Sequence, residues 1–185
     1  AVIAQMRRYE SAHAGGTLWF GVDDAATSLY VPMYSTITAV PECFQEGNGD
    51  LYTYSPTSAW WTYNIVANWA YTKYSAMLPD IQNVQAAWED KFNSQIAVID
   101  QQVAAMDQQQ AQKFLTDYSC LQAQESTAAW KELGIYLFVK YLDGQERKEQ
   151  DGQFLRNPYG EPEGPNRVPY PAEFLQTIHE HVAHE

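Results

Sequence analysis

The chain has 185 residues and a net charge of −12, with 45% hydrophobic, 14% aromatic and 18% charged residues. This composition can bury a core, so it excludes a wholly disordered chain and predicts a soluble, acidic, globular protein. The negative charge argues against nucleic acids and anionic membrane surfaces as partners, because their phosphates would be repelled. No apolar run approaches the ~18 residues of a membrane-spanning helix, and no signal peptide is visible, which leaves the compartment open.

The first fifty residues are predicted to form strands and turns. Apolar, β-branched and aromatic runs occur at residues 2–6, 18–22 and 29–37. Pro32 lies inside the third run and has no N–H to donate, which places that strand at a sheet edge or a bulge. Turn-forming residues at 47–50 close this region.

Residues 55–143 are predicted to form helices. Ser55 followed by Pro56 suggests a helix N-terminus, and Trp61, Ile65 and Trp69 recur at helical spacing after it. The pair Leu78-Pro79 predicts a boundary, because the residue before a proline avoids the α region. The first helix of this region carries few charges and is predicted to be buried on most sides.

Two further helical stripes are predicted to face each other as an antiparallel pair. The first stripe consists of Val84, Trp88, Phe92, Ile96, Ile99, Val103 and Met106. Polar residues between them are assigned to the solvent face, namely Gln85, Glu89, Asn93, Asp100 and Gln101. The second stripe runs from Phe114 to Tyr141 and stops near Gly144.

The composition changes after residue 144. Residues 145–153 are highly charged, and residues 157–171 are rich in proline and glycine, which is typical of an extended connector. A short helix is predicted from Ala172 to about Val182. The sequence therefore predicts an α+β domain over residues 1–144, with strands in 1–50 and helices in 55–143, followed by a tail over residues 145–185.

The two cysteines are the candidate nucleophiles, but neither has an activating environment in the sequence. Cys43 is flanked by Glu42 and Glu46, which would raise the pKa of its thiol by like-charge repulsion. Cys120 falls in a helical stripe and is predicted to be a small packed residue. No catalytic set is complete in the chain.

Histidines near the C-terminus raise a separate alternative. His181 and His184 are three residues apart, so a helix would bring both to one face, as metal ligation requires. A polar, solvent-exposed chain end is the ordinary interpretation of such a segment. We therefore expect no metal site and no cofactor, and a helical metal-binding module stays open as a third hypothesis.

Short motifs in the first half of the chain resemble a known family. They are Ala4-Gln5-Met6-Arg7, Leu18-Trp19-Phe20-Gly21, Tyr30-Val31-Pro32-Met33-Tyr34, Val40-Pro41, Phe44, Ser58-Ala59-Trp60-Trp61, Asn64, Asn68 and Trp69. In this order and spacing they resemble the later part of the cysteine dipeptidases related to PepD and secernin. The similarity is best from Ala1 to about Phe92, and the following helices agree in character only.

The resemblance implies an N-terminal nucleophile hydrolase with a layered αββα fold that cleaves amide bonds of short peptides. In that family a cysteine at the mature N-terminus is the nucleophile and its own α-amine is the base. Residue 1 here is Ala1, so no catalytic residue transfers by position. We therefore expect a C-terminal segment of a dipeptidase that is inactive alone. A non-catalytic binding or scaffold domain derived from that hydrolase is the alternative.

Arg7 and Tyr34 are the predicted substrate-binding residues. Arg7 follows a strand, where its guanidinium can hold a peptide carboxylate bidentately. Tyr34 follows the irregularity expected at Pro32, where side chains are re-aimed. The expected partners are a short peptide, the missing N-terminal half of the hydrolase, and a second copy in a homodimer, since open strand edges pair with other chains.

Overall fold

The computed structural model describes residues 1–8, 13–164, 166–167 and 170–182. It confirms an α+β protein in which a small antiparallel sheet precedes long helices. The chain divides into two compact units, Ala1–Leu137 and Phe138–Glu185, and each is described by itself.

The sheet of the first unit contains three antiparallel strands in the order β1 (Val2–Met6), β2 (Gly16–Gly21) and β3 (Tyr30–Tyr34). Pro32 lies opposite Trp19 in β3, which is an edge strand, so the predicted edge position is confirmed. The other edge strand, β1, is exposed at all five residues. Its outer edge has no strand partner in the described part of the chain.

Helix α1 (Ala59–Ala70) begins later than predicted. Its N-cap residue is Ser58 and not Ser55. The Ser55 hydroxyl instead donates to Asn48 Oδ1 at 2.5 Å and fastens the preceding loop. The predicted stripe is also not the buried one, since Ile65 is 47% exposed. The buried face consists of Ala59, Thr62, Tyr63, Val66, Ala67 and Ala70. Small residues dominate this face and allow close packing.

Helix α2 (Tyr74–Ala104) contains Pro79 in its interior, so the predicted boundary at that proline is wrong. The break between α1 and α2 lies at residues 71–73. A proline at this position removes the hydrogen bond to one carbonyl in the preceding turn. Met77 and Ile81, on either side of the proline, are fully buried. The burial of these two side chains outweighs the free energy lost with the missing hydrogen bond at Pro79.

Helix α3 (Gln108–Lys140) runs back along α2 after a link of residues 105–107. Lys91 of α2 pairs with Glu125 of α3 at 3.0 Å. The Tyr118 hydroxyl lies 3.3 Å from Gln95 Oε1, nearer the link, so the helices are antiparallel as predicted. The core that joins them to the sheet contains Ala14, Tyr34, Ile99, Val103, Ala111, Leu115 and Tyr118.

The second unit consists of short elements. Strand β4 (Gln145–Glu146) pairs with β7 (Asn166–Arg167), β5 (Glu149–Gln150) pairs with β6 (Gln153–Phe154), and α4 spans Ala172–Val182. The terminal helix is thus found where it was predicted. Within the described ranges, no helix has the length and apolar character needed to cross a membrane.

Candidate functional site

A buried ion pair joins the end of β1 to the middle of α2. The Arg7 guanidinium contacts the Asp100 carboxylate through both terminal nitrogens, with Nη1 on Oδ2 and Nη2 3.3 Å from Oδ1. The Arg7 side chain is 14% exposed and that of Asp100 is 5% exposed. Pairing of this bidentate kind is the geometry in which a guanidinium and a carboxylate interact most strongly.

Local backbone structure positions the guanidinium. The Arg7 backbone N–H donates to the Gly15 carbonyl at 2.7 Å, which extends the β1–β2 pairing by one step. Its Nη2 donates to the Ala14 carbonyl at 2.6 Å and to Thr17 Oγ1 at 3.0 Å. The Arg7 side chain is therefore fixed by contacts within the β1–β2 hairpin as well as by Asp100 of α2.

Tyr34 completes the cluster from β3. Its hydroxyl donates to Asp100 Oδ1 at 2.7 Å, and its ring lies 5.9 Å from Arg7 Cζ. Burial, and then the hydrogen bond to the Asp100 carboxylate, raise the pKa of Tyr34 far above its usual range. Burial also raises the pKa of the adjacent Tyr118 to about 12. Both phenols thus stay protonated, and Tyr34 remains a donor to Asp100.

Two adjacent cavities of about 450 and 340 Å³ lie beside this ion pair and share Gln5, Trp19 and Asn93 in their walls. We call them together the β1–α2 groove. Its first part is also lined by Ile3, Ala4, Tyr30 and Glu89, and its second part by Arg7, Ile96, Ala97, Asp100 and Gln101. Arg7 Nε is buried and has no hydrogen-bond partner among the described residues. It is therefore an unsatisfied donor inside the protein, with almost no surface open to the groove.

The structure brings the two predicted site residues, Arg7 and Tyr34, together at a shared partner, Asp100. Arg7 lines the groove, and the carboxylate it holds bidentately is that of Asp100. Tyr34 is not among the lining residues of the groove, and its hydroxyl donates to Asp100, which is. Their contact with a peptide stays a prediction.

Sequence reasoning missed Asp100 and assigned it to the solvent face. Its position gave a signal, because it falls between Ile96 and Val103 in the apolar stripe of α2. An acid at such a position requires a cationic partner.

Neither thiol is activated in this structure. Burial raises the pKa of Cys43, and the nearby Glu42 charge adds to this in the predicted direction but as a smaller effect. Burial and the Asp117 charge raise the pKa of Cys120, whose sulfur lies 3.7 Å from the Ala39 carbonyl oxygen. A cysteine nucleophile requires thiolate character, which both environments disfavour.

The hypothesis of a C-terminal metal site depends on His181 and His184. His181 lies in α4, while His184 lies outside the described residues. Among the residues with described positions, no group of three or more His, Cys, Asp or Glu side chains is arranged to hold a metal ion.

Comparison with known proteins finds a similarity for the first part of the chain. Residues 1–87 match the family model of peptidase family C69. No curated protein matches the chain. The matched segment contains the three-stranded sheet, Arg7 and Tyr34, and it ends within α2, shortly before Asp100.

Proposed function

We propose that this chain is the peptide-binding segment of a dipeptidase of the C69 type, in the PepD and secernin branch of the N-terminal nucleophile hydrolases. The observation that carries the proposal is the place of the β1–α2 groove. Its Arg7, Trp19 and Tyr30 walls belong to the segment that matches the peptidase family. The family match of the residues in these walls supports assigning peptide recognition to that segment.

The groove offers groups that suit a short peptide. Gln5, Asn93 and Gln101 present side-chain amides that can both donate to and accept from peptide groups. The Trp19 indole, fixed by donation of its N–H to Gln5 Oε1 at 3.0 Å, supplies an apolar wall.

The proposal assigns the nucleophile to a part of the hydrolase outside this chain. The thiols of Cys43 and Cys120 have raised pKa values, as described above. Amide hydrolysis needs a nucleophile, a base and oxyanion donors within mutual reach. The exposed edge of β1 is where we place the contact with the N-terminal half, since an unpaired strand edge pairs readily with another strand.

We expect the chain alone to release no amino acids from a panel of dipeptides. The reason is the lack of an activated nucleophile among its thiols. Amino acid release followed by mass spectrometry provides the measurement. Turnover in the wild-type chain would contradict the proposal, whether it survives Cys43→Ala and Cys120→Ala or is lost in one of these variants.

Peptide binding in the groove is expected without turnover. Trp19→Ala should weaken the binding of a dipeptide by about fivefold, because an aromatic wall at the centre of a contact contributes more than 1 kcal/mol. Calorimetric titration measures the affinity, and Tyr52→Ala serves as the control because Tyr52 is 97% exposed and outside the groove. Equal affinities of the Trp19 variant and the wild type would remove the groove from peptide binding.

A further inference from the structure

A third cavity, of about 440 Å³, lies on the opposite side of β2 from the Trp19 side chain. Successive side chains of a strand alternate between faces, so Phe20 points away from the face that carries Trp19. The apolar part of its wall consists of Phe20, Val22, Cys43, Phe44, Leu51 and Trp60, and residues 45–50 together with Ser58 complete the lining. We call it the Phe44 cavity. Its volume falls in the range of about 300–1,000 Å³ that is usual for ligand sites.

Three aromatic rings line this wall, and contacts with neighbouring residues fix their positions. Phe20 of β2 meets Phe44 edge-on, with ring centroids 5.1 Å apart. Trp60 at the start of α1 meets Trp61 edge-on at 4.7 Å. These rings present apolar faces and edges against which an apolar side chain can pack.

The loop of residues 45–51 forms the rim of the Phe44 cavity and is held in a defined shape. Asn48 Nδ2 donates to the Glu42 carbonyl at 2.9 Å, and its Oδ1 accepts from Thr57 at 3.0 Å. Gly49 has a φ of +82°, and a Cβ at this position would lie 2.9 Å from the Thr53 carbonyl oxygen. The rim is therefore a built part of the fold.

The charges at this rim are all negative. Glu46 and Asp50 line the cavity and are exposed, and no Lys, Arg or His is among the described residues that line it. The backbone N–H of Tyr52, which donates to Asp50 Oδ1 at 2.8 Å, lowers the pKa of Asp50, so that this carboxylate stays charged. The cavity thus combines an apolar, aromatic interior with an anionic mouth.

We propose that the Phe44 cavity binds the N-terminus of a peptide whose first residue is apolar. The side chain of that residue fills the space between Phe20, Phe44 and Trp60, and its α-ammonium lies at the mouth near Glu46 and Asp50. The two carboxylates lie at the exposed rim and the apolar wall lies below them. A ligand that fits both therefore carries its positive charge at the end of the molecule that stays at the rim. The remainder of the peptide leaves past the exposed Gln45 and Leu51.

This site is separate from the β1–α2 groove and does not depend on the peptidase proposal. The two sites share no lining residue. A chain that only binds peptides would use the Phe44 cavity in the same way.

The test is a calorimetric titration of the wild-type chain with a tetrapeptide amide that begins with phenylalanine. Glu46→Gln and Asp50→Asn are each expected to weaken binding by about two- to fivefold, the range for one partly exposed charge pair. N-acetylation of the peptide, which removes its ammonium group, should weaken binding further than either variant. Replacement of the first residue by serine should do so as well, because the cavity wall is apolar.

Matched controls separate this site from general charge effects and from the groove. Asp90→Asn removes an exposed acid on α2 outside both sites and should leave the affinity unchanged. Trp19→Ala is titrated in parallel to report any binding of the peptide in the groove. Equal binding of the acetylated and free peptides, or full affinity in both rim variants, would overturn the inference. Loss of affinity only in Trp19→Ala would instead assign the peptide to the groove. Glu46 and Asp50 are exposed, so their variants are expected to keep the wild-type melting temperature.

Discussion

Asp100→Ala is expected to lower the free energy of unfolding by about 3–5 kcal/mol, the usual cost of leaving one partner of a buried ion pair without the other. The substitution would leave the Arg7 guanidinium buried against Ala14 and Thr17 with no counter-charge. It would also remove the acceptor of the Tyr34 hydroxyl. Urea unfolding followed by circular dichroism measures the loss.

Two further variants show whether pairing, rather than the residue itself, matters at this position. Asp90→Asn removes an exposed acid from the same helix and should cost under about 0.5 kcal/mol. The double variant Arg7→Met, Asp100→Leu should recover much of the loss, because well-packed apolar residues often replace a buried ion pair at little cost. A loss below about 1 kcal/mol in Asp100→Ala would show that Arg7 finds water or another partner.

Trp130→Ala is expected to cost about 3–5 kcal/mol, since a large buried aromatic leaves a cavity that the surroundings cannot fill. Trp130 is fully buried in α3 and stacks on Tyr63 of α1, with ring centroids 5.1 Å apart and planes 12° from parallel. The stacked pair joins these two helices. Its removal therefore affects both the core of α3 and the buried face of α1.

Trp88→Ala is the matched control for Trp130→Ala. Trp88 is only partly buried, and Lys91 Nζ, which also pairs with Glu125 of α3, lies 4.1 Å from its ring centroid. Its loss should cost about half as much, in proportion to the smaller apolar area withdrawn from water. Equal losses in the two variants would contradict the view that the Tyr63–Trp130 stack is central to the core.

Hydrophobic periodicity in the sequence was sufficient for the sheet strands and the long helical pair of the first unit. The strand at Val2–Met6, the edge position of Pro32 and the antiparallel α2–α3 pair all follow from local pattern and from a short link. These features depend on residues close together in sequence, because periodicity and a missing N–H act locally.

The limits of the helices and their buried faces could not be predicted from the sequence alone. Pro79 predicts a boundary by its own stereochemistry, yet the burial of Met77 and Ile81 carries α2 through it. The face of α1 that is buried is the one rich in alanine, because close packing against Trp130 and its neighbours selects small side chains rather than the most hydrophobic ones.

The sequence by itself determined that this chain has a small edge-exposed sheet and a long helical pair, and it drew attention to Arg7 and Tyr34. Only the tertiary structure decided what these two residues do, because their shared partner, Asp100, is 93 residues from Arg7 and 66 from Tyr34. A charged residue in a helix is assigned to solvent unless its counter-charge is known. The counter-charge of Asp100 is Arg7, which the packing of the β1–β2 hairpin on α2 brings next to it. No pattern of neighbouring residues in the sequence indicates this long-range contact.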